Sequence, residues 1–388
     1  MKNASLARLI LGTLLVGMLV IGCAAAAARV APSTAVPTAT IAINATIQPP
    51  RPTVPKPTPR ASSTPTPLPP SPSPTATNTA VPTPRSPTPV TTPVVLAGPM
   101  ARVVVGYTAS GLAVNPATHR VYAASAGGDS LTIINSLTDR AMLTLRVGKA
   151  PVGVGINPTT DRIYVANSQS NSVSVINTLP ARLLPTIPVG PQPEGLAVNP
   201  TTDRIYVANV NGKSVSVIDG KINRVVATIL VGDRPEAVVV NPTTNRVYVS
   251  NVVGNSISVI DGATNRVLAT VPVAGQPDAL GVNPTTNRIY VGSFLLDTVS
   301  VIDGATNQVV GTIFGVDGPF SLAVNSATNR VYAANYLGNN VSVIDGTTNR
   351  IIGTIPGLTA PFAVALDPSG HRIYVTNSGS NTVAVIAQ

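Results

Sequence analysis

Three residue columns run through the last three quarters of this 388-residue chain at an unbroken spacing of 42. Tyrosine stands at Tyr122, Tyr164, Tyr206, Tyr248, Tyr290, Tyr332 and Tyr374. Arginine stands at Arg120, Arg162, Arg204, Arg246, Arg288, Arg330 and Arg372, and isoleucine at Ile134, Ile176, Ile218, Ile260, Ile302, Ile344 and Ile386. No insertion interrupts the columns. A chain that repeats so strictly must build one supersecondary unit seven times and stack it on itself.

One unit, from Leu196, reads LAVNPTTDRIYVANVNGKSVSVIDGKINRVVATILVGDRPEA. It divides into four β-rich runs: LAV, RIYVAN, SVSVID and RVVATILV. Val, Ile, Tyr and Thr dominate them, as a pleated surface prefers. Between the runs lie turn residues. Asn-Pro-Thr-Thr joins the first two, and Asp219-Gly220 opens the turn between the third and fourth. The runs are apolar on both faces, as expected of a sheet sandwiched between two neighbours. A period of 40–45 without helical patterning predicts an all-β fold, a seven-bladed β-propeller of four-stranded blades.

Seven units of 42 account for 294 residues and leave the first 94, so the domain is expected over 95–388. The last unit stops at Gln388 after its third strand. Arg102-Val103-Val104-Val105-Gly106 aligns with Thr186-Ile187-Pro188-Val189-Gly190, a fourth-strand segment. The N-terminal segment is therefore expected to complete the C-terminal blade and so remove the exposed sheet edges. A domain of this size buries roughly 75% of its unfolded surface and needs no disulfide or metal to fold.

The motifs Arg-Ile-Tyr-Val-Ala-Asn (162–167), Arg-Ile-Tyr-Val-Thr-Asn (372–377) and Ser-Val-Ser-Val-Ile-Asp make the region resemble the YVTN-repeat family, with its YncE-like proteins and archaeal surface-layer propellers. The resemblance implies the seven-bladed fold and an extracytoplasmic setting. It says little about activity, since one fold hosts many functions.

Ahead of the repeats the composition changes. Residues 31–99 hold 20 of the 38 prolines, and all 15 acidic residues lie after residue 100. Of the formal +10 charge, the first 99 residues carry seven basic residues and no acid, leaving 18 basic against 15 acidic in the repeats. The near-neutral domain weighs against a nucleic-acid-binding fold. Lys2 and Arg8 precede an apolar run, Leu9 to Ile21, which is too short for a span of ~20 residues but fits a secretory signal. It ends Leu19-Val20-Ile21-Gly22-Cys23, which resembles a bacterial lipobox, and Cys23 is the chain's single cysteine. The expectation is a signal peptide over 1–22, lipidation of Cys23, and a disordered Pro/Thr/Ser-rich linker over 23–94. The protein is thus expected outside the cytoplasmic membrane, held to a membrane by its lipid.

Chemistry is thinly provisioned. His119 and His371 fill one repeat position where other blades have Asp161, Asp203, Asn245, Asn287 and Asn329, and both read as polar turn residues. No thiol lies within the repeats. The arginine column reads as structural, bonding turn carbonyls or acids of neighbouring blades. Asp219, Asp261, Asp303 and Asp345, with Asn135 and Asn177, read as turn formers. No catalytic residue, metal site or cofactor is expected.

Function should sit where the repeats differ. The turns after strands one and three are nearly invariant, whereas the loops after strands two and four vary and share one face. Just before the first run, one column reads Ser110, Val152, Glu194, Glu236, Asp278, Phe320 and Phe362. Propeller geometry puts this column near the mouth of the central channel. Phe294 and Tyr336 add aromatic character in nearby loops. A rim half acidic and half aromatic suits a cation, an amine or a basic peptide. The leading expectation is a monomeric binding or adhesion module whose protein, peptide or glycan ligand meets the variable-loop face. The alternatives are a propeller lactonase or lyase, a surface-layer-like structural protein, and a YncE-like nucleic-acid binder.

Overall fold

The computed structural model describes residues 93–388, so the signal peptide, Cys23 and the linker lie outside the described residues. The described chain is all β apart from short 3-10 turns, and its strands form seven sheets. Blade 3 is typical, with strands Pro193–Asn199, Arg204–Asn209, Ser214–Asp219 and Arg224–Leu230 paired antiparallel in sequence order. The same order recurs in blades 1 to 6, and first strands of neighbouring blades pack against each other around the ring.

Blade 7 closes the ring as the repeat arithmetic requires. Its three C-terminal strands, Pro361–Asp367, Arg372–Asn377 and Thr382–Ala387, take their fourth from Ala101–Val104, antiparallel to the last. Val103 on that strand is buried with Val121, Ala123, Tyr374, Val383 and Val385. Two features go beyond the expected pattern. Val94–Val95 adds a fifth, parallel strand to the outer edge of blade 6, along Arg350–Ile355. The outer strand of blade 2 is broken into Ala181–Leu183 and Ile187–Pro188, with Pro185, which has no N–H to give, in the gap.

The core lies between the blades. Each of seven apolar clusters takes side chains from two adjacent sheets, for example Tyr206, Val215 and Val217 of blade 3 with Val238, Val247 and Ile260 of blade 4. This explains runs that are apolar on both faces. The tyrosine column is buried throughout, and burial pushes the Tyr164 hydroxyl up to about 12.

Polar columns lock blade to blade. The asparagine ending the first strand uses both ends of its amide in blades 1 to 5. Asn157 accepts from the N–H of Thr159 through Oδ1, and its Nδ2 donates to Asp203 of the next blade at 2.6 Å. Asn115, Asn199, Asn241 and Asn283 make the same interblade bond, to Asp161, Asn245, Asn287 and Asn329. Four arginines take the structural role expected of the column, reaching the neighbouring blade, and two bond within their own blade. Arg120, Arg162, Arg246 and Arg372 donate to turn carbonyls of the next blade, at Thr178, Gly220, Gly304 and Ser136. Arg204 and Arg288 instead pair with Asp219 and Asp303 of their own blades. The aspartate column builds turns: Asp303 Oδ1 accepts from the N–H groups of Ala305 and Thr306. Those donors hold its carboxylate below the usual range. His119 and His371 occupy left-handed turn positions, at φ 53° and 50°, as do the Asp and Asn residues of the other blades.

Candidate ligand site at the channel mouth

The rim column sits not before the first strand but inside it. Each first strand begins at the preceding proline or alanine, and its register slips just after. Pro193 opposes Asn209, and pairing resumes at Leu196 opposite Val207, leaving Glu194 and Gly195 in a bulge. A bulge releases its residues from strict alternation and re-aims their side chains. Here it turns six of the seven column residues into one cavity.

That cavity, of about 170 Å³, is lined by Glu194, Glu236 and Asp278 on one side and by Phe320, Phe362 and Tyr336 on the other. Its floor is the next column, which is small in every blade: Gly111, Gly153, Gly195, Ala237, Ala279, Ser321 and Ala363. The glycines are enforced. A Cβ on Gly111 would come within 2.0 Å of the Val152 carbonyl oxygen, because the first strands of blades 1 and 2 meet backbone to backbone. Two rim positions take other roles: Ser110 is buried and donates to the Pro151 carbonyl at 2.8 Å, and Val152 adds an apolar wall.

The aromatic side is a packed cluster. Phe320 stacks at a tilt on Phe362, with centroids 4.6 Å apart, and lies 5.9 Å from Tyr336. Phe294 meets Phe320 edge to face at 6.1 Å, but it is buried behind that ring rather than lining the cavity. It braces the wall.

The acidic side is held by a second column. Two residues before each rim residue stand Thr108, Ala150, Gln192, Arg234, Gln276, Gly318 and Ala360, all at positive φ. From Gln192 the side-chain amide reaches back to Glu194 at 2.8 Å, and from Arg234 Nε reaches Glu236 at 2.6 Å. Amide or guanidinium residues precede the three acids, and glycine or alanine precedes the two phenylalanines. Reading two repeat columns side by side would have found this. The strained loops are clamped from the neighbouring blade, where Asp129, Asn171, Asn255, Asp297 and Asn339 accept the N–H of Ala150, Gln192, Gln276, Gly318 and Ala360. Lys213 replaces the acceptor before blade 4 and pairs instead with Asp233 at 2.6 Å, beside Arg234.

Burial, then the charge of Glu236, pushes the Glu194 carboxyl up to about 8. The same causes, burial first, raise Asp278 well above the usual carboxylate range. Arg234, between them, feels all three carboxylates. Among the described residues no group of three or more His, Cys, Asp or Glu side chains is placed to hold a metal ion. The site thus presents neutral carboxyls and one ion pair on one wall, with ring faces opposite.

Comparison with known proteins agrees with the architecture. Residues 232–325, covering blades 4 and 5 and the first strand of blade 6, match the family model described as YNCE-like beta-propeller. Among solved structures the chain is similar to a chain of hydrazine synthase from Kuenenia stuttgartiensis. The TM-score is 0.66 with 21% identity, over 72% of this chain and 96% of that one, a likeness of fold alone. No curated protein matches it in sequence. The chain is a seven-bladed β-propeller, and its residues 232–325 are similar to the YNCE-like beta-propeller family.

Proposed function

We propose that this protein is an exported interaction module, tethered to a membrane through a lipid on Cys23, that receives its ligand in the cavity on the variable-loop face. The observation that supports this most is the separation of duties along the repeat. The columns that hold the ring together (asparagine, arginine, tyrosine and aspartate) are nearly constant. The two columns that make the cavity change from blade to blade. A fold that needed those positions only for packing would repeat them as it repeats the others. Binding residues on variable loops over a rigid scaffold are the common arrangement. The two histidines lie in turns at the start of the second strands, while the cavity wall is built where those strands end. General-base catalysis at the cavity has no support from them. The lipobox-like Gly22-Cys23 and the proline-rich 23–94 support display away from a membrane surface.

Two measurements test the proposal. Cys23→Ser should release the protein from the membrane fraction or leave an unprocessed precursor; unchanged membrane association with normal processing overturns the anchor. Capture of partners from envelope extract should be lost with Phe362→Ala or Phe320→Ala and kept with Lys221→Ala, in a turn after a third strand. Equal capture by all three variants overturns the assignment of the binding face.

A further inference from the structure

We propose that the channel-mouth cavity takes an alkylammonium group: a protonated amine on a short apolar stem, held by Glu194, Glu236 and Asp278 with its stem against Phe320, Phe362 and Tyr336. The proposal rests on the reading that this face binds the ligand, and it names the chemistry of that ligand.

The argument begins with charge. When ionised, the three carboxylates face one guanidinium, so the wall is two positive charges short. Glu236 is buried and Glu194 and Asp278 are half-buried, and a charge drawn out of water must be paired or neutralised. Only Glu236 has a cationic partner, Arg234 at 2.6 Å. The hydrogen bond to Glu194 comes from a neutral amide, that of Gln192. For Asp278 the charged groups that act on it are Glu236, Arg234 and Glu194, so two of three repel it. Burial and the neighbouring Glu236 raise Glu194 and Asp278, so this wall meets the deficit by holding protons at pH values where exposed acids ionise. A bound cation would supply the same charge and take the place of those protons.

The opposite wall selects among cations. Phe320 lies within 6 Å of both Phe362 and Tyr336, and the rings offer an apolar surface with a negative quadrupole, which suits an ammonium carrying carbon better than a metal ion that needs several oxygen ligands. The carboxylates themselves form no group placed to hold a metal. A volume of about 170 Å³ admits one ring or a short chain. Either a free amine or the end of a lysine side chain on a partner presents this chemistry.

Calorimetry on the full chain in detergent tests it with four probes: benzylammonium, its neutral isostere benzyl alcohol, Nα-acetyl-lysine methylamide and potassium ion. Benzylammonium should bind at least tenfold more tightly than benzyl alcohol. Its affinity should rise between pH 6 and pH 8, by up to tenfold per pH unit for each proton displaced. Protons should be released, read from the change in heat between buffers of different ionisation enthalpy. Glu194→Gln with Asp278→Asn should weaken binding at least tenfold and abolish the proton release. Phe362→Leu, which removes the ring face and leaves a large apolar side chain, should weaken it as well. Tighter binding of the lysine probe assigns the ammonium to a protein partner, and tighter binding of benzylammonium assigns it to a free amine. Equal binding of the alcohol, binding of potassium alone, or no binding of any probe overturns the ammonium assignment. In those cases loss of envelope capture in Phe362→Ala still upholds the binding face; undiminished capture overturns both.

Discussion

The closing strand offers a test in which two adjacent residues must behave oppositely. Val103 and Val104 lie side by side in Ala101–Val104 and pair with Val383 and Thr382. Val103 points into the junction of blades 7 and 1 and is 6% exposed; Val104 points outward and is 74% exposed. Val103→Ala removes two buried methyl equivalents at ~0.8 kcal/mol each and leaves a small cavity, for a loss of about 2 kcal/mol. Val104→Ala should stay within ~0.5 kcal/mol of wild type. With an unfolding entropy of about 2.1 cal/mol/K per residue, a domain of nearly 300 residues loses only ~3 °C for 2 kcal/mol. The denaturant midpoint is therefore the better readout, with an unchanged slope expected. The strand also carries Met100 N–H to the Val385 carbonyl at 2.8 Å and Val105 N–H to the Asn381 carbonyl at 3.0 Å. If it closes the ring, the Val103 change must be felt in the global transition. Equal midpoints for the two variants would show that the segment detaches before the ring unfolds, and that the seventh blade is stable with three strands.

Two further outcomes follow from the carboxylates. Glu194 has a folded-state value raised above its unfolded one, so the folded state holds the extra proton and stability falls as pH rises from about 4.5 to about 8, by at most ~1.4 kcal/mol per pH unit. Glu194→Gln should then melt higher than wild type at pH 8 and no higher at pH 4; a lower melting point at pH 8 refutes the burial of that carboxyl. Asp303 has the opposite sign. Its value is depressed by turn N–H groups, so its contribution is present above the unfolded value and fades as pH falls through the folded one. Asp303→Ala should cost about 1–2 kcal/mol in chemical unfolding near neutral pH without changing capture of ligand. Asp303→Asn should retain most of that stability, since Asn135 builds the same turn in blade 1.

The fold was legible because its determinants repeat. A contact such as Asn157 to Asp203 is made in five of seven junctions by the same residue types 46 positions apart, so it surfaces as columns in a single sequence. The same holds for the tyrosine core and for the aspartate turns. Ring closure was legible as a missing quarter of the last unit. What escaped was local to one blade or depended on packing direction. The fifth strand at Val94–Val95 belongs to no repeat. The break in the outer strand of blade 2 came from Pro185, inside a run that otherwise matches the pattern. In the site, the rim column was visible by its contrast with the constant columns, but the bulge that aims it was not. A one-residue slip leaves no mark in composition. Phe294 looked equivalent to Tyr336 in sequence, yet one ring lies behind Phe320 and the other lines the cavity. Which side of a neighbouring ring a side chain takes is a matter of packing, and periodicity carries no information about it.

The arrangement around the ring bears on why the site is acidic at all. Seven equivalent positions allow three acids to be spread apart, and spreading them would relieve the repulsion that raises Glu194 and Asp278. They stand instead on consecutive blades 3, 4 and 5, with the rings on 6 and 7. The one arginine occupies the middle of the three, where it acts on all of them, and its own charge is stabilised in return. Gln192 supports the first acid with a donor that adds no charge. One guanidinium at the centre neutralises a third of the wall and leaves the outer two acids dependent on protons. A ring that used these residues only to cover its channel mouth would gain stability by alternating them or by replacing Gln192 with a second arginine. Neither has occurred, although the same upstream column already accommodates arginine at a left-handed position of φ 57°. The protons that the outer two acids must hold are thus a cost borne at one end of a fold whose asparagine column bonds across five of its seven blade junctions. Such a cost is expected where a ligand supplies the missing partner.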